Sequence, residues 1–254
     1  MANLESVINN AKESNTKIAE DRIWKWTVQI LCELGQLHTK DVCHRAITPA
    51  NIFLDEEDNV RVGDIGVALQ LTDDAMAQTQ LGDLFYVCPE VACKLADDSK
   101  CDVWSLGCVL HELMTLEKPF LGANAFDLLD TITYVLPADI SEDYSWHIRM
   151  LSMWMLQKIA KYRPTTLDVY SFFLRNWPTQ AKAGLSQIKP ESVPWASDLL
   201  MDDEGKMEWD GYPSIGMTAE ERHAMPSYAD KKKDAASVQP AQVQAEDIPG
   251  SVGA

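Results

Sequence analysis

The chain predicts a mainly α fold with one small β-hairpin pair, followed by an acidic, mostly disordered tail. Three observations carry that expectation. Between residues 17 and 39, Ile23, Thr27, Ile30, Leu34 and Leu37 recur every three or four positions, with Trp24, Val28 and Leu31 widening the stripe; that is one buried face of a helix. The run KCDVWSLGCVLHELMT (100–115) is apolar around most of its circumference, the pattern of a helix in the middle of a core. From Pro178 onward Pro, Ser, Gln, Ala, Gly and Asp dominate, and such a composition buries too little apolar surface to order its backbone.

The elements follow in order. Residues 3–11 read as a short helix with Asn3 as its N-cap, and the second helix runs over about 17–39. A tight loop, HRAITPAN (44–51), leads into an apolar strand IFL (52–54). DEEDN (55–59) supplies turn chemistry, and VRV (60–62) is a second short strand. The chain is then polar and irregular to about residue 88, before the all-round apolar helix. Pro119 disfavours its continuation. Further helices are expected over about 124–134, 145–159 and 166–175, with Asn124 and Thr165 as caps. The division is 1–177 for a folded lobe and 178–254 for the tail.

Charge excludes some partners. A net charge of −17 argues against a nucleic-acid or anionic-membrane surface, because phosphate binding needs a basic patch. No apolar run reaches membrane-spanning length and the first ten residues lack a signal-peptide core, so a cytoplasmic location is expected. The six cysteines form no C-x-x-C pair and are expected as buried free thiols, without zinc or disulfides. His38, His111, His147 and His223 show no ligand spacing and read as surface or core histidines.

The hairpin places two oxygen-bearing side chains, Asn51 and Asp64, where they can converge. Carboxylate plus amide oxygen, with room for waters and phosphates, is how proteins hold Mg²⁺ beside a nucleotide. The other reading is a pair of turn-stabilising side chains, and both stay open.

Six ordered stretches together resemble the eukaryotic protein kinases: HRxxxPAN (44–51), DIG (64–66), LGDLFYVCPE (81–90), CDVWSLGCVLHEL (101–113), PF (119–120) and Arg163-Pro164. The opening NLESVINNAKESNTKIAEDRIWKW looks most like the NIMA-related serine/threonine kinases. The resemblance covers roughly residues 2–176 and implies the helical C-terminal lobe of that fold. It implies that Asp102 accepts hydrogen bonds from the His44–Arg45 turn, and that Glu90 and Arg163 form a buried ion pair. It implies a phosphorylation site at Thr79, with Arg45 as receiver of the phosphate; an ordinary loop threonine is the alternative.

The resemblance also exposes departures. Ala46 stands at the position of the catalytic Asp and Thr48 at that of the Lys; Asp83 replaces a threonine, and Ile65 replaces the usual Phe. Met1 falls just after the position of the hinge and no glycine precedes Gly35, so no glycine-rich loop and no strand lysine are encoded, and the N-lobe is expected to be absent. Either the chain is a half-domain with an exposed apolar top, or a segment lies upstream. The expected function is a catalytically inactive, pseudokinase-like binding or scaffolding module with protein partners, including an N-lobe or partner covering that top. The competing expectation is a serine/threonine kinase that transfers phosphate from ATP with atypical residues or an N-lobe missing from this chain. Any nucleotide would be Mg-ATP. Cytoskeletal association is implied by resemblance alone. In the tail, WASDLLMDDEGKMEWDGY (195–212) reads as a partner-binding segment or a solvated linker.

Overall fold

Residues 2–63, 65, 81–95 and 98–176 are described by the computed structural model. Asp64, Gly66, Thr79 and the tail lie outside them. Strand β1 (Ala2–Asn3) is followed by α1 (Leu4–Glu13) and α2 (Glu20–His38). The loop 44–51 closes with a single 3₁₀ turn, Pro49–Asn51, and β2 (Ile52–Leu54) and β3 (Val60–Val62) follow. Then come two one-turn helices, α3 (Leu81–Leu84) and α4 (Pro89–Ala92), and the long α5 (Lys100–Thr115). Helices α6 (Ala125–Tyr134), α7 (Trp146–Met155) and α8 (Thr166–Asn176) complete the described fold.

The core is built on α5. Every residue from Cys101 to Met114 is buried, as its all-round apolar pattern requires. It packs against α7 and α2, and α2 packs against α8. Helix α7 approaches so closely that a Cβ on Gly107 would stand 2.9 Å from the Cβ of Met155. Trp104 of α5 stacks on Phe120, ring centroids 5.4 Å apart. The helix stops where Leu116 turns left-handed, φ 60°, just ahead of Pro119.

The caps follow from side-chain chemistry. Asn3 accepts from the Ser6 amide while Ser6 Oγ accepts from the Asn3 amide, a reciprocal box that satisfies two donors left over at the start of α1. Asn124 caps α6 through the Asp127 amide. Thr165 does the same for α8, and Asp168 reaches back to the Thr165 amide.

The sheet has the order β1-β2-β3, antiparallel throughout, with Ile52 opposite Val62 and Leu54 opposite Val60. β1 was not expected; two residues carry no periodicity, and only pairing with Phe53 and Leu54 makes them a strand. The turn closes because Asp55 Oδ1 accepts from the Glu57 and Asn59 amides, while Asp58 takes a left-handed φ of 61°. Polar residues of α2 hold the outer strand. Gln29 Oε1 accepts from Val60 N and Glu33 Oε2 from Val62 N, so the amides of an edge strand are covered. Burial, opposed by the Val62 amide and the Arg61 charge, raises the Glu33 carboxyl above its usual range.

Three expectations need correction. Helix α2 starts at Glu20 rather than 17; the Ile18 carbonyl is taken by the Tyr144 hydroxyl, which leaves the preceding residues extended. Helix α7 ends at Met155 rather than 159, and just beyond it the Gln157 and Lys158 carbonyls turn to the Arg163 guanidinium. The cysteines are not all buried free thiols. Cys88 and Cys101 form a disulfide, and Cys93 is exposed. With a sequence separation of 13 and no motif, nothing local announces the pair. Packing α4 against the start of α5 brings their Cα atoms to 5.3 Å, within disulfide reach.

Candidate functional site

The site is the loop His44–Asn51 at the end of α2, framed by α5 below and the hairpin beside it. Its foundation is Asp102, in the first turn of α5 and fully buried. Asp102 Oδ1 accepts from the Arg45 amide at 2.7 Å, and Oδ2 accepts from the His44 amide at 2.7 Å. Oδ2 also accepts from His38 Nε2 at 2.8 Å. A carboxylate only accepts, so Nε2 of His38 donates to it, and Nδ1 shares a hydrogen bond with the Thr166 hydroxyl at 2.6 Å. This bridge ties α2, α5 and α8 at one buried point. Arg45, whose amide makes one of these charge-assisted bonds beside that of His44, adopts a left-handed φ of 62°, a conformation that costs a non-glycine residue about 1–3 kcal/mol and needs such over-determination.

Within the loop, His44 is buried and spans its width. Its Nδ1 accepts from the Ala46 amide at 3.3 Å and its Nε2 donates to the Gly63 carbonyl at 3.2 Å. Asn51 closes the loop: Nδ2 donates to the Ala46 carbonyl at 3.0 Å, and its own carbonyl accepts from the Gly63 amide at 2.8 Å. That orientation fixes Oδ1 toward Gly63, where an added Cβ would overlap it. Glycine is therefore the residue that this approach admits. Asn3 of the capping box also reaches in, its Nδ2 donating to the Ala50 carbonyl.

The chemistry available is limited. Ala46 presents a methyl group and Thr48 a hydroxyl without charge. No carboxylate occurs anywhere in HRAITPAN. For a hard cation, which takes oxygen ligands, the described residues offer the amide oxygen of Asn51; Asp64, the second expected donor, lies outside them. Among the described residues the fit to Mg²⁺ thus rests on one neutral oxygen, oriented by its own amide nitrogen.

Glu90 and Arg163 meet as the resemblance implies, with Nη1 to Oε1 and Nη2 to Oε2 both 3.0 Å apart. The Oε1 contact is an ion pair without hydrogen-bond alignment. Arg163 is fully buried and also donates to the carbonyls of Lys100 and Gln157, so α4, the start of α5 and the end of α7 converge on one guanidinium. Nearby, Tyr86 donates to Glu112 at 2.6 Å and receives Lys118 Nζ at 2.8 Å. Burial, reinforced by the Glu112 charge, pushes the Tyr86 phenol far up.

Sequence reading missed the part played by His38. It carries no ligand spacing; the one available signal was its position on the last turn of α2, immediately before the loop. Among the described residues the large exposed apolar side chains include Phe126 and Tyr134 of α6, Trp146 and Met153 of α7, and Ile65, 52% exposed. No helix among the described residues is long and apolar enough to cross a membrane.

Comparison with known proteins agrees with this architecture. The protein kinase domain family matches residues 1–172. A serine/threonine-protein kinase Nek3 of Oryza sativa subsp. japonica is 34% identical over 158 residues, covering 62% of this chain and 27% of that protein. A probable serine/threonine-protein kinase nek2 of Dictyostelium discoideum is 33% identical over 174 residues, covering 66% and 42% respectively. The Nek10 serine/threonine-protein kinase of Mus musculus is 33% identical over 165 residues, covering 64% and 15%. The matched segment is thus well under half the length of these relatives. With the kinase-type loop, its buried aspartate and the lower-lobe ion pair all in place, the chain belongs to the protein kinase domain family, and its curated relatives are kinases of the Nek type.

Proposed function

We propose that this chain is a kinase-like module that binds or scaffolds protein partners and does not itself transfer phosphate. One observation carries the reading: Ala46 occupies the base position in a loop where the polar side chains of His44 and Asn51 are engaged in holding the loop together. Loss of a general base removes about 10²–10⁴-fold in rate, and Thr48 supplies no cation to the transferring group. His44 cannot stand in, because both ring nitrogens are engaged within the fold. Asp102 is sealed beneath the loop by its three donors. A protein partner or an N-lobe segment meeting the upper face is part of this proposal, as is a cytoplasmic location.

A second reading, an ATP-dependent serine/threonine kinase with atypical residues, draws support from the names of the relatives and from the retained Asn51. Phosphate bound there would meet Mg²⁺ held in part by Asn51. The test is a thermal-shift titration of residues 1–254 with Mg-ATP, run with a phosphate-transfer assay, alongside the Ala46→Asp, Thr48→Lys double variant. The expected result is no transfer by the natural chain at any nucleotide concentration. Transfer above background, with a melting temperature that climbs with nucleotide as mass action demands, would overturn the proposal.

A further inference from the structure

The disulfide joins two segments that the site depends on. Cys88 directly precedes Pro89 and Glu90, the start of α4 that Arg163 holds. Cys101 directly precedes Asp102, which carries the His44 and Arg45 amides. We propose that Cys88 and Cys101 are a reversible redox strut, closed by a low-molecular-weight disulfide such as oxidised glutathione, that couples the start of α4 to the loop 44–51.

Three features support a switchable bond. First, the segment is anchored without it: Ser105 Oγ donates to the Tyr86 carbonyl at 2.8 Å, Tyr86 donates to Glu112, and Glu90 pairs with Arg163. Opening the bond therefore loosens this region and leaves the lobe folded. Second, the two buried cysteines line a small pocket together with Arg45, Thr48, Tyr86 and Asp102, and that pocket is the side from which an exchanging thiol would approach them. Third, Cys101 lies in the first turn of a sixteen-residue helix, where the helix dipole favours a thiolate. Glu90 is close enough to complete a three-ligand cluster with the two sulfurs, but its oxygens face the Arg163 guanidinium, so a cation would meet a fixed positive charge and the thiol pair reads as a redox couple.

The chemistry balances by two exchanges. One cysteine thiolate attacks a sulfur of oxidised glutathione and releases one glutathione thiolate. The second cysteine thiolate then attacks the protein sulfur of the mixed disulfide, closes the Cys88–Cys101 bond and releases the second glutathione. Two electrons pass from the cysteine pair to the oxidant, and the two cysteine protons end on the two glutathione thiols.

The test equilibrates the full chain in glutathione buffers of graded ratio, then traps thiols by alkylation for peptide mass spectrometry, with amide exchange on the same samples. A linked 88–101 peptide is expected at oxidising ratios and its loss at reducing ones. Reduction should speed amide exchange several-fold over 44–48 and 86–92 and lower the melting temperature by about 6–12 °C, as for opening a loop of this size in a domain of this length. Cys88→Ser and Cys101→Ser should match the reduced protein and ignore the buffer; if either fails to fold, reduced natural protein supplies the comparison. The proposal is overturned if no linked peptide forms, if it persists at the most reducing ratio, if glutathione ends only on exposed Cys93, or if exchange over 44–48 is the same in both states.

Discussion

Replacing Asp102 with asparagine keeps the shape of the side chain and removes its charge, and the consequence can be worked from the three bonds it accepts. An amide has one accepting oxygen. Placed at Oδ2, that oxygen keeps the His44 amide and His38 Nε2, but the NH₂ then faces the Arg45 amide, donor against donor at 2.7 Å. The lost bond leaves a buried donor unsatisfied, about 1–3 kcal/mol. The two retained bonds fall from charge-assisted to neutral strength, about 1 kcal/mol each. The sum is roughly 3–5 kcal/mol, a large share of the about 5–15 kcal/mol that stabilises an ordinary domain. Urea unfolding of Asp102→Asn beside the natural protein measures it directly, and amide exchange at 44–46 should rise with it. A loss below about 1 kcal/mol with unchanged exchange would show that the loop is held by something other than this carboxylate.

Two further outcomes are expected. Glu90→Ala should cost about 3 kcal/mol, the low end for breaking a buried pair, because Arg163 retains carbonyl acceptors at Lys100 and Gln157; Arg163→Met should cost more, since it orphans those carbonyls and strands Glu90. Denaturation curves that rank the two in the opposite order would contradict this account. Burial pushes the Lys158 ammonium from its ordinary 10.5 down to about 7. Its folded pKa lies below its unfolded one, so the folded chain binds fewer protons between those values and stability from this residue rises as pH climbs from 7 toward 10. The Phe120 ring, 3.8 Å from Nζ, and Trp104 at 5.0 Å favour the charged form and reduce the effect to the order of 1–3 kcal/mol. The stability of the natural protein minus that of Lys158→Met should grow across this window; a flat difference would mean that the ammonium is fully accommodated.

Legibility in the sequence followed the range of the interaction. Helix α5, the strands Ile52–Leu54 and Val60–Val62, and the caps Asn3, Asn124 and Thr165 could be read because periodicity and capping act over three or four residues. Ala46 and Thr48 were likewise fixed by the chain alone: no folding can give a methyl group a proton affinity. Tertiary structure decided where local preference was overruled by distant partners. Tyr144 drew off the Ile18 carbonyl ahead of α2, and Arg163 gathered the carbonyls of Gln157 and Lys158 beyond the end of α7. Two residues at the N-terminus became a strand only by meeting β2. The Cys88–Cys101 bond and the His38–Asp102–Thr166 bridge needed elements far apart in the chain to pack before their atoms could meet, and no spacing in a sequence encodes that distance.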